Sequence, residues 1–313
     1  MEYLDQKESP TFSQICTFAR LPFSKSLEGV DVAFLGIPFD DATTFRPGAR
    51  FGPRAVREVS CQIIKPFNHA LNVSPLKDLN IIDYGDVNVV PGYIEDTYKK
   101  IEKEVSKILK TNTFPLCCGG DHSVTLPILR AVSKKYGKLS LIQFDSHTDC
   151  GDVYFGKKYN HGTHVKRAYE EGLIDPESSI YVGIRGGMYS ERDIKNVEDL
   201  GFEILTIDDV YDIGINKTIE KIRKRVKKAK TYVTLDIDVC DPAFAPGTGT
   251  PEVGGLQSRE IIRLIRGLIS IDIVGFDVVE VSPPYDVSSI TSILASWIFF
   301  EFLSVIDINY RNI

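Results

Sequence analysis

Apolar residues fall into short continuous runs separated by amphipathic stretches, and the two alternate almost from end to end. The runs lie at 30–37, 79–82, 114–118, 139–144, 179–184, 202–207, 232–237 and 273–279. Strands that read this way are buried on both faces, as in a parallel sheet covered by helices. Between them, helical patterns are predicted near 95–109, 123–136, 164–171, 191–199, 217–228, 258–268 and 289–305, and Pro53 suits a first helical turn. The alternation predicts one α/β domain: a three-layer α/β/α sandwich around an eight-stranded, mostly parallel sheet. A closed (β/α)8 barrel is the rival arrangement of the same pattern. No linker or internal repeat divides the chain, so residues 29–313 read as one domain and 1–28 as a partly ordered N-terminal arm.

In either arrangement, chemistry belongs at the carboxyl ends of the strands. The run Leu141-Ile142-Gln143-Phe144 ends in Asp145-Ser146-His147-Thr148-Asp149. On an extended backbone i, i+2 and i+4 share a face, so Asp145, His147 and Asp149 converge if that geometry continues past Phe144. Such groups repel unless a cation sits among them, and oxygen donors with some imidazole suit a divalent metal. The run from Tyr232 ends in Asp236-Ile237-Asp238, that from Phe114 exits into Asp121-His122, and the last ends in Glu280. Four of the five histidines, His122, His147, His161 and His164, fall within 43 residues. His122, Asp145, His147, Asp149, Asp236 and Asp238 are too many for one catalytic metal with an open position. They suit a pair of ions about 3.5–4 Å apart with bridging carboxylates.

Charge narrows the partners. The net charge of −6, from 37 basic and 43 acidic residues, argues against a nucleic-acid partner and is compatible with a small cationic substrate. The basic run 221–230 reads as a solvated helix face. Six cysteines show neither zinc-ribbon nor redox spacing, and no secretory signal is visible, which is the pattern of reduced cytoplasmic thiols. The apolar stretch 290–306 is interrupted by Ser292, Ser296, Glu301 and Ser304, and is expected to be a buried helix rather than a membrane span.

Several segments together resemble the ureohydrolase superfamily of arginases and agmatinases, most of all its agmatinase branch. They are Gly119-Gly120-Asp121-His122-Ser123, Asp145-Ser146-His147-Thr148-Asp149, His161-Gly162-Thr163, Leu235-Asp236-Ile237-Asp238 and Val279-Glu280-Val281-Ser282-Pro283. Asp241-Pro242-Ala243-Phe244-Ala245-Pro246-Gly247 and Arg46-Pro47-Gly48-Ala49-Arg50-Phe51-Gly52-Pro53 add to the match. The resemblance implies two Mn2+ per subunit, hydrolysis of a guanidino group to an amine and urea, and a homo-oligomer, trimer or hexamer. By motif position His122 and Asp149 would serve one ion, His147 and Asp236 or Asp238 the other, with Asp145 and Asp238 able to bridge. The implied catalytic residues are Asp149 at the nucleophile, His161 for proton transfer and Glu280 gripping the guanidinium.

Departures from the family pattern carry expectations too. Ser146 replaces the usual alanine and is expected to face away from the metals. His164 stands where many relatives have an apolar residue or proline, and is read as a surface or outer histidine rather than a ligand; Glu252 and Asp286 read as rim residues or as outer supports of the site, with no particular role assigned. The loop 150–159 lacks the Asn/Ser/Thr-rich stretch with which arginases hold an α-amino acid. Agmatine, cleaved to putrescine and urea in polyamine biosynthesis, is therefore the expected substrate, with Asp152 near its ammonium. Lys157 and Lys158 favour the alternative, guanidinobutanoate. A metal-binding regulatory relative without turnover is the rival of a different class.

Overall fold

The computed structural model describes residues 9–311, so the start of the N-terminal arm lies outside the described residues. Eight strands form one sheet: β1 (Val32–Gly36), β2 (Ile81–Asp86), β3 (Phe114–Cys118), β4 (Ser140–Phe144), β5 (Ile180–Ile184), β6 (Glu203–Thr206), β7 (Thr231–Asp236) and β8 (Ile273–Val279). Their order is β2-β1-β3-β8-β7-β4-β5-β6, and every pairing is parallel. β2 and β6 are open edges, so the rival barrel is not formed. The helices are α1 (Gly52–Ile63), α2 (Pro75–Asp78), α3 (Ile94–Lys110), α4 (Thr125–Tyr136), α5 (His164–Glu170), α6 (Asp193–Glu198), α7 (Ile207–Ile213), α8 (Ile215–Val226), α9 (Ser258–Arg266) and α10 (Ile290–Arg311).

The period-two side-chain alternation of each strand feeds two cores. On β1, Val32 and Phe34 join residues of α1, α8, α9 and α10. Ala33 and Leu35 point the other way, toward α3 and α4. This is the three-layer sandwich that the apolar runs predict. The run expected to end at 207 stops a residue earlier, because Thr206 caps the unpredicted α7: its Oγ1 accepts from the Asp209 N–H. Asp286, given no particular role from the sequence, accepts from the Thr291 and Ser292 N–H groups where α10 begins. α10 is long and apolar enough to cross a membrane, yet most of it is buried against α1 and α9. Its one buried glutamate, Glu301, is held by Arg266 (2.8 Å) and Asn68 (3.0 Å). The visible part of the arm is packed rather than loose: Phe18 stacks on Phe34 with ring centroids 4.4 Å apart.

The sheet order positions the site. β3, β8, β7 and β4 are neighbours at its centre, so the exits carrying His122, Glu280, Asp236 and Asp145 lie side by side although the chain visits them far apart. Gly120 lets the first exit pass under the loop after β1: a Cβ there would lie 1.8 Å from the Phe39 carbonyl oxygen. That approach is sealed by the Asp121 N–H donating to the same oxygen at 2.8 Å.

Candidate metal centre

The extended geometry invoked for Asp145, His147 and Asp149 does not persist. β4 ends at Phe144, and Asp145 Oδ1 accepts the His147 N–H at 2.7 Å, folding the chain into a turn. Asp236 does the same at the end of β7, its Oδ1 accepting the Asp238 N–H at 2.8 Å, so Asp238 sits in a short 3-10 turn. Side-chain caps of this kind are what aspartate offers a turn. Each cap uses Oδ1 and leaves Oδ2 to the site, where Asp145 Oδ2 also accepts from Gln143 Nε2 at 2.8 Å. Asp145 Oδ2, Asp236 Oδ2 and Asp149 Oδ2 meet at His122 Nδ1, at 3.2, 3.3 and 3.0 Å. Convergence comes from turns, not from a strand face.

His122 is fully buried, and its Nδ1 has no hydrogen-bond partner among the described residues. Its other nitrogen, Nε2, lies 2.8 Å from Thr234 Oγ1, whose proton goes to Asp277 at 2.5 Å. Asp277 also accepts from Tyr232 Oη and Thr125 Oγ1. The threonine oxygen must therefore accept the Nε2 proton, and Nδ1 is left as a bare lone pair aimed at three carboxylates. A cation among them resolves that repulsion. Without one, the ring itself must take a proton: burial opposes this, but the bonds to Asp145, Asp149 and Asp236 override it and raise its pKa well above normal. Among the described residues, no lysine or arginine pairs with these carboxylates. The donor set fits a metal ion.

A second cluster adjoins the first. His147 Nδ1 lies 3.0 Å from Asp238 Oδ2 and 3.7 Å from Asp145 Oδ1, so Asp145 belongs to both groups. The structure thus places Asp236 with His122 and Asp238 with His147; Asp238 is not shared. Ser146, expected to face away, does not. Asp238 Oδ1 accepts from its Oγ at 2.7 Å and from its N–H at 3.1 Å, and the hydroxyl lies 3.0 Å from His147 Nδ1. The turn at Asp145 is the reason: it rotates the intervening residue toward β7, where a continuing strand would have pointed it away.

Glu280 follows β8 and is buried, with a left-handed backbone at φ +62°. Its Oε1 accepts from the His122 N–H and from His161 Nδ1, each at 3.0 Å, while Oε2 has no partner among the described residues. The other side of the His161 ring meets Thr44 Oγ1 at 2.8 Å. Burial works against charge on His161, but the Glu280 hydrogen bond and field raise its pKa to about 9. Asp149 is also left-handed, at φ +47°. Non-glycine residues pay for that conformation, and such strain collects at functional sites.

His164 is neither at the surface nor remote. It is 1% exposed, its ring centroid is 4.0 Å from that of His122, and its Nδ1 is 3.5 Å from Asp149 Oδ2. Burial, then the neighbouring His122, push its pKa well below normal. The position expected to be an outer one is filled inward because α5 starts at His164 itself, directly after the His161 turn.

A cavity of about 870 Å3 opens onto the site, lined by His147, Asp149, His161 and Asp236 at its floor. Arg46, Asp152, Tyr154, Lys166 and Glu252 stand on its walls. Asp152 is taken up by Arg167, at 2.6 Å. Arg185 underlies the rim: its guanidinium donates to the carbonyls of Asp238 and Glu252, both at 2.7 Å, tying the second metal turn to the wall. Sequence reasoning missed Arg185, Thr234 and Asp277. A carboxylate inside the apolar run of β8 was the one available signal.

Paired clusters of carboxylate and imidazole under a deep cavity, at the carboxyl ends of a parallel sheet, define a metal-dependent hydrolase class. Residues 30–304 match the arginase family, and the chain belongs to that family. It is 41% identical over 304 residues to a guanidinopropionase of Pseudomonas aeruginosa, covering 97% of this chain and 95% of that one. A mitochondrial agmatinase of Gallus gallus is 40% identical, with 93% and 86% covered. The solved structure of proclavaminate amidino hydrolase from Streptomyces clavuligerus superposes with a TM-score of 0.91 at 40% identity, covering 96% of this chain and all of that one. The protein is a ureohydrolase-type enzyme acting on guanidino compounds.

Proposed function

We propose that the enzyme hydrolyses a short linear guanidino acid, a guanidinium at one end and a carboxylate at the other, to urea and the corresponding amino acid. The observation that carries this reading is the charge on the cavity wall. Arg46 and Lys166 face the cavity, and among the described residues neither has an acidic partner. Asp152, expected to greet a distal ammonium, is neutralised by Arg167. Two of the three relatives named above also carry the name of an acid. Agmatine, the substrate expected from the sequence, is the second reading, and Glu252 favours it: that carboxylate lines the wall with no ion pair among the described residues.

The chain's residues divide the work. Asp145, Asp149, Asp236 and His122 would hold one divalent cation, and Asp145, His147 and Asp238 the other. Carboxylate-rich sites of this kind suit Mn2+. When bound, the pair supplies a water acidic enough to attack at neutral pH. Glu280 Oε2 is free to accept from the guanidinium and to fix its plane, a charge-assisted contact of the strong kind. Asp149 would take the proton of the attacking water. His161, one hydrogen bond from Glu280, would deliver a proton to the departing amine.

Urea release from guanidinopropionate, guanidinobutanoate, agmatine and arginine by the Mn2+-loaded protein tests the assignment. The acids should exceed agmatine at least about 10-fold in kcat/KM, a difference of about 1.4 kcal/mol. The reverse order would replace this reading with the agmatinase one. Turnover surviving in each of His122→Ala, Asp149→Ala and Asp236→Ala would sink the metal-centre model altogether.

A further inference from the structure

The middle of β4 holds a buried glutamine. Leu141, two residues earlier on the same face, packs in the second core, yet Gln143 is also fully buried. Its amide is only half satisfied. Nε2 donates to Asp145 Oδ2 at 2.8 Å, while Oε1 is buried with no partner among the described residues. The amide cannot turn round, because Oε1 would then face a carboxylate oxygen, and neither could donate. A buried carbonyl without a partner is unfavourable, and an apolar side chain at 143 would carry no such cost. What separates Gln143 from such a side chain is the one bond it makes.

That bond reaches the ligand common to both clusters. The two oxygens of Asp145 face different ways: Oδ2 lies 3.2 Å from His122 Nδ1, and Oδ1 lies 3.7 Å from His147 Nδ1. Each oxygen carries one N–H, from Gln143 on Oδ2 and from the His147 backbone on Oδ1 at 2.7 Å. An ionised carboxylate oxygen has a second lone pair, so each remains able to serve an ion. Gln143 also continues a row already seen to support the site. It stands opposite Thr234 in the pairing of β4 with β7, and Thr234 stands opposite Asp277 in the pairing of β7 with β8. Thr234 meets His122 Nε2, and Gln143 meets Asp145.

Resting on the metal-centre reading, we propose that Gln143 is a positioning residue of that centre. It holds the Asp145 carboxylate in the orientation that turns Oδ2 to the inner cluster and Oδ1 to the outer one. The backbone N–H alone fixes one oxygen and leaves the group free to swing about it; the amide N–H removes that freedom. Because Asp145 is shared, this support acts on both ions, whereas the support that Thr234 gives His122 acts on one.

The test compares the full-length protein with Gln143→Met, which keeps a side chain of similar length and removes the donor. Each protein is stripped by chelation and titrated with Mn2+, and electron paramagnetic resonance counts free and bound ions. The same spectra report magnetic coupling between the two ions of the loaded site, a readout independent of turnover. The variant should bind both ions about 10–100-fold more weakly, and their coupling should change when excess Mn2+ refills the site. Unchanged affinities with unchanged coupling, or weakening of one ion alone, would overturn the proposal while leaving a two-ion hydrolase intact. A wild type that binds no Mn2+ would overturn both the proposal and the metal-centre reading. If Gln143→Met melts early without metal, Gln143→Asn, which keeps an amide but is one methylene short of Asp145, is read against the same outcomes.

Discussion

The two halves of the metal centre are built to different tolerances. On the inner half, His122 is fully buried and its Nε2 is fixed by a threonine that is itself fixed by a buried aspartate. On the outer half, the His147 side chain is 32% exposed at the cavity floor, and the hydrogen bonds around it come from Ser146 and its backbone neighbours. Outer partners that orient a ligand imidazole decide how much disorder is lost when metal arrives. The inner position is therefore preorganised before any ion binds. The outer one is open to solvent and, on the metal-centre reading, is where an ion would exchange.

Substitutions can break this contrast in order of severity. Asp145→Asn, at the one ligand common to both clusters, should remove both ions. Without them the attacking water returns toward its bulk pKa of about 15.7, and kcat should fall by at least about 10³-fold, with no metal retained on gel filtration. Glu280→Gln should leave metal content unchanged but cost about 10²–10³-fold in kcat/KM, because the guanidinium loses its one charged acceptor; metal loss in this variant would mean that Glu280 supports the inner half instead. Thr234→Val leaves the His122 Nε2 proton without an acceptor, and should weaken the tighter of the two ions by about 10–100-fold in a titration. Thr234→Ser should restore it. Ser146→Ala should have the smallest effect, a few-fold loosening of the weaker ion alone, since the backbone N–H still holds Asp238 Oδ1. If Ser146→Ala proves more damaging than Thr234→Val, the inner and outer assignments are reversed. Graded chelation gives the same contrast without mutation: an intermediate with one ion per chain should accumulate before the second is lost.

Much of this was legible in the chain because apolar runs and abrupt acidic exits are local signals. The eight strands, and the six residues Asp145, His147, Asp149, Asp236, Asp238 and His122, needed no knowledge of long-range contacts. What could not be read was anything set by sheet order or turn direction. Thr234 and Asp277 are opposite each other across β7 and β8, 43 residues apart in sequence, and their link exists only once those strands are paired. Ser146 was misdirected because a strand was extrapolated through a residue that the Asp145 cap turns. His164 was placed outside because the start of α5, which points it inward, is a matter of which residue begins a helix, the least certain thing a periodic pattern conveys. The charge on the cavity wall was hidden for a similar reason: Asp152 reads as a free carboxylate until Arg167, fifteen residues on, is seen to reach it.

The left-handed backbone at Asp149 and Glu280 sets durability against turnover. Each residue holds a conformation that glycine adopts without penalty, and each gives up about 1–2 kcal/mol by not being glycine. At Asp149, whose carboxylate also crowds like charges, a selection for heat resistance alone would drift toward glycine and a sturdier, inert protein, whereas at Glu280 the buried hydrogen bonds to His122 and His161 oppose that drift. Thermal hardening of this enzyme should be sought on the sheet edges and outer helices, where no residue is asked to do chemistry.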